Sequence, residues 1–240
     1  MEPVPRPAPA AYRRHLFHSR DSVPDQCSDV VWIQGDQYFC DARFSTDAAG
    51  ATHFRMGFAG ELECTDPATG EFEWVHAIAA GEAFGSADIG QLFDVPGWGL
   101  LEAGRQLDYV ELWQRCADEP GPVWEARGVD DQGTEAVVVC VGDRFGLALG
   151  ADSAGNRPAS VHIGSRTDRG WSARYSSWSV PEPPRFFLSP ESDGRFALSW
   201  QTGEGGSTST FFDPIHDAGP IPPARPSHPP RPAHPGADNA

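Results

Sequence analysis

Apolar and polar residues alternate along most of this chain in short segments with a period of two. Residues 30–34 form an apolar, β-branched segment that ends at Gly35-Asp36, and a second such segment begins at Tyr38. Two segments of this kind joined by a short turn predict a β-hairpin. No stretch has the sustained 3.6-residue period of an amphipathic helix, so the sequence predicts an all-β protein with little helix.

Similar segments follow at hairpin spacing through the first half of the chain. Turn residues, among them Asp66-Pro67 and Thr69-Gly70, separate them, as expected for antiparallel strands joined by tight connections. The predicted strands of this half are 30–34, 38–44, 58–64, 71–78, 88–93, 99–102 and 107–113.

The second half of the chain repeats the first. Residues 30–38 (VVWIQGDQY) match residues 137–145 (VVVCVGDRF) at an offset of 107, and residues 111–114 (ELWQ) match 198–201 (LSWQ) at an offset of 87. An internal repeat of this length predicts two related antiparallel barrel-like halves, the alternative being one continuous barrel of ten or more strands. The predicted organisation is a flexible leader at 1–10, a first half at 11–118, a shorter second half at 119–213 and a disordered Pro-rich tail at 214–240.

Charge and composition exclude several classes of partner and chemistry. The net charge of −16 disfavours binding to nucleic acid or to an anionic membrane. All 18 basic residues are arginine, which excludes Schiff-base, pyridoxal phosphate and P-loop lysine chemistry. No apolar run approaches the ~20 residues of a membrane span, and the N-terminus lacks a secretory signal, so a cytoplasmic location is expected.

The cysteines and histidines do not predict a metal site. The five cysteines are an odd number without a CxxC pair, which favours buried free thiols over a disulfide framework or a structural zinc site. His53 and His162 lack a partner at metal-ligand spacing. The sequence thus predicts neither a metal nor a cofactor.

Three segments carry a resemblance to known proteins: 58–60 (FAG), 109–114 (YVELWQ) and 137–142 (VVVCVG). In kind and order they resemble the fungal Hri protein family. That resemblance spans roughly residues 11 to 213 and implies a lipocalin-like, calycin-like fold of two barrel units with no assigned catalytic activity. The first half is also similar to uncharacterised bacterial proteins with a Trp-x-Gln strand followed by an Asp-x-Arg strand. The Gly-x-Trp signature of lipocalins is absent, which leaves the ligand class open.

Alternation places candidate site residues on shared strand faces. Asp41 and Arg43 share a face with Phe39, and Trp32 shares one with Gln34. If that face lines the barrel lumen, Arg43 would hold an anionic or carbonyl group of a ligand and Asp41 would orient it. The alternative is an exposed surface pair that contributes little to stability.

His76 is the strongest general acid-base candidate because its strand places it with aromatic residues. Phe72, Trp74, His76 and Ile78 are predicted to share one face, and Asp41, Glu61 or Asp88 could orient the imidazole. The alternative is a core histidine bonded to a backbone carbonyl. Tyr109, Glu111 and Trp113 share a face of a later strand, and either face of that strand could be the inner one.

These faces define the predicted site and leave three functions open. The first is a small-molecule binding protein that holds a largely apolar ligand in the barrel. The second is a cofactor-independent cyclase, isomerase or lyase that uses the same cavity, and the third is a structural protein whose barrels are filled by their own side chains. The predicted catalytic residues are His76 and Asp41, and the predicted ligand-binding residues are Trp32, Gln34, Arg43, Trp74, Tyr109, Glu111 and Trp113.

Overall fold

A computed structural model shows an all-β protein. Within the residues it describes, the chain forms strands, turns and loops, and no helix. The described residues are 2–20, 25, 28–82, 85–116, 121–155, 157–167, 170–179, 182, 184–192, 195–201 and 207–214.

The first eight strands close into an antiparallel barrel. Each strand pairs with the next, and the first pairs with the eighth, which leaves no free sheet edge. Its strands are β1 Ala10–Ser19, β2 Asp29–Gln34, β3 Tyr38–Thr46, β4 Thr52–Asp66, β5 Glu71–Gly81, β6 Ile89–Val95, β7 Gly99–Gly104 and β8 Tyr109–Arg115.

The remaining strands form a second closed antiparallel barrel of the same kind. Its first strand pairs with its last, as in the first barrel. The two-barrel, all-β prediction is thereby confirmed. The strands are β9 Val123–Val129, β10 Glu135–Val141, β11 Arg144–Leu149, β12 Ser160–Thr167, β13 Gly170–Ser176, β14 Arg185–Pro190, β15 Phe196–Gln201 and β16 Ser207–Pro214.

Only one of the two internal sequence matches relates equivalent strands. The offset of 107 aligns the β2–β3 hairpin with the β10–β11 hairpin, which are the second and third strands of their barrels. The offset of 87 aligns β8, the eighth strand of its barrel, with β15, the seventh. That second match is wrong, because a tryptophan on a half-buried strand recurs wherever a strand packs against a core.

The structure describes most of the predicted leader but only the first residue of the predicted tail. Pro3, in the predicted flexible leader, pairs with Phe93, and the Val4 backbone nitrogen donates to the Leu92 carbonyl at 3.0 Å. Two leader residues thus lie against β6. The predicted tail at 214–240 lies outside the described residues except for Pro214, which ends β16.

The two barrels pack through the outer faces of β2 and β3 against β10, β11 and β12. Val31 and Ile33 point outward into this interface, whereas Val30 and Trp32 point into the first barrel. Strands that are buried on both faces are apolar without alternation. The interface therefore explains why residues 30–33 and 137–141 are nearly continuous apolar runs.

Gly146 allows a close approach of β11 to β3 of the other barrel. A Cβ atom added there would lie 2.5 Å from Cys40 Cβ and 2.8 Å from Cys40 Sγ. Real carbon atoms do not approach that closely, so any side chain at this position would push β11 away from β3.

Cys40 and Cys140 are buried free thiols, as expected. Cys64 and Cys116 are exposed, so burial is not a general property of the described cysteines.

Charged residues of the second barrel also bind the first. Glu125 accepts hydrogen bonds from the backbone nitrogens of Gln37 and Tyr38 at 2.8 and 3.1 Å. Arg127 donates to Glu61 of the first barrel at 2.8 Å. Because carboxylate-amide bonds are directional, they fix the relative rotation of the barrels, which apolar packing alone does not.

β-bulges change which residues point into the first barrel. The β4–β5 register shifts where Ala59 pairs with Ile78 and Gly60 pairs with His76. The extra residue, Ala77, reverses the alternation. His76 points into the lumen, while Ile78 packs in the interface between the barrels. The prediction that Ile78 shares a face with His76 is therefore wrong.

We predict that Gly146→Val lowers the free energy of unfolding by about 1–3 kcal/mol, the usual cost of overpacking a tight site. Urea denaturation followed by circular dichroism measures this change. Gly85→Val is the matched control, because no heavy atom lies within 4 Å of a Cβ built at Gly85. Equal stability of the two variants would contradict the close packing at Gly146.

Candidate functional site

Aromatic rings fill the lower part of the first barrel. Trp32 stacks on Tyr12 with ring centroids 4.8 Å apart and meets Trp113 and Trp74 edge to face at 5.4 and 5.8 Å. These side chains are almost fully buried. They close the lumen from below, so a ligand has no room at this level of the barrel.

Two ion pairs lie inside the barrel above this aromatic floor. Arg14 Nη1 donates to Glu111 Oε1 at 2.7 Å, and Arg43 Nε donates to Asp41 Oδ1 at 3.0 Å. The Arg43 guanidinium also lies over the Phe58 ring, 5.0 Å from its centroid. Burial raises the pKa of Asp41, and the nearby Arg43 guanidinium partly offsets this rise. For Arg43, burial lowers the pKa, but the nearby carboxylates have the larger combined effect and raise it.

A bulge in β1 makes the first of these pairs possible. The β1–β8 register shifts between Arg14 and Leu16. The additional residue, His15, lets Arg14 and Phe17 both point into the lumen although they are three positions apart. The guanidinium lies 5.1 Å from the centroid of the Phe17 ring.

His76 sits between the aromatic floor and the charged groups. Its ring stacks on Phe58 at 4.1 Å, and its Nε2 atom lies 3.3 Å from Asp88 Oδ2. Of the three carboxylates considered as partners for His76, the structure places Asp88 beside it. Asp41 pairs with Arg43 instead, and Glu61 bonds Arg127 of the second barrel.

Glu102 has a different environment from the other buried carboxylates. Its Oε1 atom lies 2.6 Å from Tyr109 Oη, and its Oε2 atom accepts from Trp113 Nε1 at 2.9 Å. Burial, followed by repulsion from Glu111 and Asp88, raises the pKa of Glu102 well above its usual range. Burial and the neighbouring Glu102 likewise raise the pKa of Tyr109.

A cavity of about 600 Å³ opens above these groups at the mouth of the barrel. The mouth is the end at which Ser19 of β1 pairs with Tyr109 of β8. The volume suits a small organic molecule, and the walls combine apolar rings with a few polar groups. The lining residues are Phe17, Ser19, Arg20, Arg43, Leu107, Asp108, Tyr109 and Glu111.

The structure brings only part of the predicted site to this cavity. Arg43, Tyr109 and Glu111 line it, and Asp41 lies directly behind Arg43. The predicted ligand-binding residues Trp32, Trp74 and Trp113 form the floor beneath. His76, the predicted catalytic residue, is inside the barrel but is not among the lining residues.

Gln34 lies at the opposite end of the barrel from the cavity. It pairs with Ala10, and its side-chain nitrogen donates to the Gly35 carbonyl at 2.9 Å, which ties down the β2–β3 turn. Gln34 shares the inner face with Trp32, as predicted, but it does not reach the cavity. Two residues along a strand advance about 6.6 Å, and in β2 this step leads away from the mouth of the barrel.

Sequence reasoning missed Arg14 and Glu102. Arg14 was hidden because a bulge sets its direction, and bulges leave no reliable mark in a single sequence. Glu102 had a detectable signal. It lies on the same face as Leu100, and the β7–β8 hairpin pairs it with Glu111, which places two carboxylates directly opposite each other.

The interior of the second barrel is mostly apolar, although it includes the buried side chain of Arg166, which lies over the Trp171 ring. Phe145, Phe186 and Phe212 are fully buried within its core. His162 lies among them with its ring nitrogens 3.0 Å from Ser176 Oγ and 3.2 Å from Ser160 Oγ. Burial lowers the pKa of His162 to about 3. A neutral imidazole held by two hydroxyls serves as a structural element here.

A further cavity of about 680 Å³ lies in a groove between the barrels. Two of its polar groups have partners: Asp29 accepts from Tyr175 at 2.6 Å, and His53 lies 2.9 Å from Asp47. Its walls are more polar than those of the barrel mouth. The groove therefore offers a ligand less apolar surface than the first barrel does.

The described residues contain neither a metal-binding group of side chains nor a membrane-spanning helix. No group of three or more His, Cys, Asp or Glu side chains among them is arranged to hold a metal ion. None of the described segments is a helix long and apolar enough to cross a membrane.

Comparison with known proteins identifies the fold and not an activity. The uncharacterised protein YLR301w of Saccharomyces cerevisiae superposes with a TM-score of 0.58, covering 87% of this chain and 98% of the yeast chain. The two chains share a fold. At 12% sequence identity the likeness extends no further than that.

The other comparisons add no argument about function. A putative AttH protein from Nitrosomonas europaea aligns over 87% of this chain and 92% of its own at 8% identity, but the TM-score is 0.18. No family model matches the chain, and no curated protein matches it.

We predict that His162 lowers the free energy of unfolding at acid pH and that His162→Gln removes this effect. The unfolded state takes up a proton near the usual pKa of 6.5, whereas the folded state does so only near 3. Stability is therefore lost as the pH falls from about 6.5 toward 3, with a slope of at most about 1.4 kcal/mol per pH unit. Urea unfolding at a series of pH values measures the slope.

The control for His162 is His18→Gln, which changes an exposed histidine on β1. That variant should keep the acid slope of the parent protein. A parental slope in His162→Gln would show that this histidine is not buried in its neutral form.

Proposed function

We propose that this protein binds a small, largely apolar molecule in the mouth of its first barrel. The observation that carries the proposal is a cavity with apolar walls whose base consists of buried, paired charges. Burying an ion costs several kcal/mol even after relaxation, and a barrel that only supported the fold would gain more from an apolar filling. The membership in an Hri-type or bacterial lipocalin-like family and the cytoplasmic location remain predictions from the sequence.

The proposed contacts follow from the residues that line the cavity. Phe17 and Leu107 supply apolar surface, and Leu107 is 53% exposed. Arg43 supplies the charge, with Asp41 holding its guanidinium in place. An apolar ligand with one polar group matches this arrangement.

We prefer binding over catalysis because of the position of His76. The imidazole stacks on Phe58 and is not among the residues that line the cavity. A general acid or base must reach the reacting group directly or through one water molecule. We infer that His76 supports the site by packing on Phe58 rather than by transferring a proton.

A fluorescent probe tests binding in the mouth. We expect 8-anilino-1-naphthalenesulfonate to bind with one-to-one stoichiometry, its rings against Phe17 and Leu107 and its sulfonate at Arg43. Ser19→Trp should abolish binding, because an indole would occupy the cavity without disturbing the ion pairs. Arg43→Gln should weaken binding about tenfold or more, the usual effect of losing one charge-assisted hydrogen bond.

Arg55→Gln is the matched control, since Arg55 pairs with Glu82 on the exterior of the barrel. Its affinity for the probe should equal that of the parent protein. Circular dichroism confirms that each variant is folded. Unchanged binding in Ser19→Trp would place the probe elsewhere and would contradict the proposal.

A separate variant tests the supporting role of His76. We expect His76→Gln to lower the free energy of unfolding by about 1–2 kcal/mol, the range for a lost buried hydrogen bond, and to leave probe affinity within about twofold of the parent protein. Thermal unfolding and probe titration on the same sample measure both. A large loss of affinity without a loss of stability would instead assign His76 to the site.

A further inference from the structure

Glu102 is the exception in the charge pattern of the first barrel. Each of the other three lumen carboxylates lies beside an arginine or a histidine. The two side chains that bond Glu102, a phenol and an indole, are both uncharged. The three other pairs are Arg14–Glu111, Arg43–Asp41 and His76–Asp88.

The strand register favours a neutral carboxyl group at this position. β7 and β8 place Glu102 directly opposite Glu111, and both side chains are almost fully buried. Two ionised carboxylates cannot share a site of low dielectric constant without strong repulsion. Among the described residues Glu111 is paired with Arg14 and no cation bonds Glu102, so Glu102 is the member of the pair that keeps a proton.

The hydrogen-bond geometry shows which oxygen carries that proton. An indole N–H can only donate, so Oε2, which faces Trp113, must act as an acceptor. The proton therefore resides on Oε1, 2.6 Å from Tyr109 Oη, within the usual range for an O–H···O bond. The carboxyl group then donates to the phenol oxygen, and the hydrogen of Tyr109 is left to point away from Glu102.

We propose that the Tyr109 hydroxyl, oriented by a neutral Glu102, donates a hydrogen bond to an acceptor oxygen of the ligand in the barrel mouth. Tyr109 and Arg43 both line the cavity, and both side chains carry donor groups. The ligand class is then an apolar molecule with a carbonyl or carboxylate oxygen. This inference rests on the proposed binding function and specifies its polar anchor.

The same walls disfavour an amine. Two carboxylates line the cavity, and each already faces an arginine: Glu111 faces Arg14, and Asp108 faces Arg20. A ligand ammonium group would have to compete with these arginines for its acceptors. An acceptor oxygen meets no such competition at Tyr109.

Three naphthalene probes of similar size test the anchor: 2-acetonaphthone, 2-naphthoate and 2-(aminomethyl)naphthalene. By isothermal titration calorimetry at neutral pH, we expect the ketone and the carboxylate to bind at least about tenfold more tightly than the amine. Tyr109→Phe should weaken ketone binding about tenfold. Glu63→Gln, an exposed carboxylate on β4, is the control and should change neither affinity.

Two substitutions at Glu102 separate its orienting role from its bulk. Glu102→Leu should lose the preference for the ketone, because nothing then directs the Tyr109 hydroxyl. Glu102→Gln should restore it, since the amide N–H₂ donates to Tyr109 while the amide oxygen accepts from Trp113. At high pH, ionised Glu102 would accept from Tyr109, so ketone affinity should fall in the parent protein and stay constant in Glu102→Gln.

Infrared spectroscopy of the ligand-free protein gives an independent readout. The carbonyl stretch of a neutral carboxylic acid should be present at neutral pH and should disappear in Glu102→Gln, with Asp41→Asn as the control for the neighbouring carboxyl group. Absence of this band, with probe binding intact, would overturn the inference while leaving the proposed function standing. Failure of all three probes to bind the parent protein would overturn both the proposed function and this inference. Equal affinity for the ketone and the amine would overturn only the hydrogen bond from Tyr109.

Discussion

The first barrel depends on balancing charges that its fold removes from water. An ion placed in a protein interior loses several kcal/mol of solvation, which only a close partner of opposite charge recovers. Arg14 and Glu111 meet this condition at 2.7 Å, and Arg43 and Asp41 meet it at 3.0 Å. Arg43 and Asp41 lie two residues apart on β3, whereas Arg14 and Glu111 lie on β1 and β8, so the second pair forms only when these two strands are in the correct register.

The charge pairs and the aromatic floor together define where a ligand can bind. Rings around Trp32 occupy the lower lumen, and the paired charges stand on top of them. The space that remains is at the mouth. Because the charged side chains are held by one another and by the rings below, they are oriented before any ligand arrives, which lowers the entropic cost of binding.

The second barrel has the same architecture with a mostly apolar filling. Its core consists largely of aromatic and aliphatic side chains, with Arg166 over the Trp171 ring and a neutral histidine bonded to two serine hydroxyls. Its outer face supports the first barrel through Gly146 and the apolar surface around Cys40. We interpret the second barrel as a rigid support for the strands β2 and β3, which carry Trp32, Asp41 and Arg43.

The sequence by itself determined the class of fold, the hairpin repeat at Gly35 and Gly142, and the shared faces of Asp41 with Arg43 and of Tyr109 with Glu111. These features follow from local rules, since alternation and turn chemistry act over a few residues. Only the tertiary structure decided that Gln34 lies at the closed end, that Ile78 faces the other barrel, and that Arg14 and Glu102 enter the lumen. Bulges, register and barrel closure decide these placements, and they depend on partners that are distant in the chain.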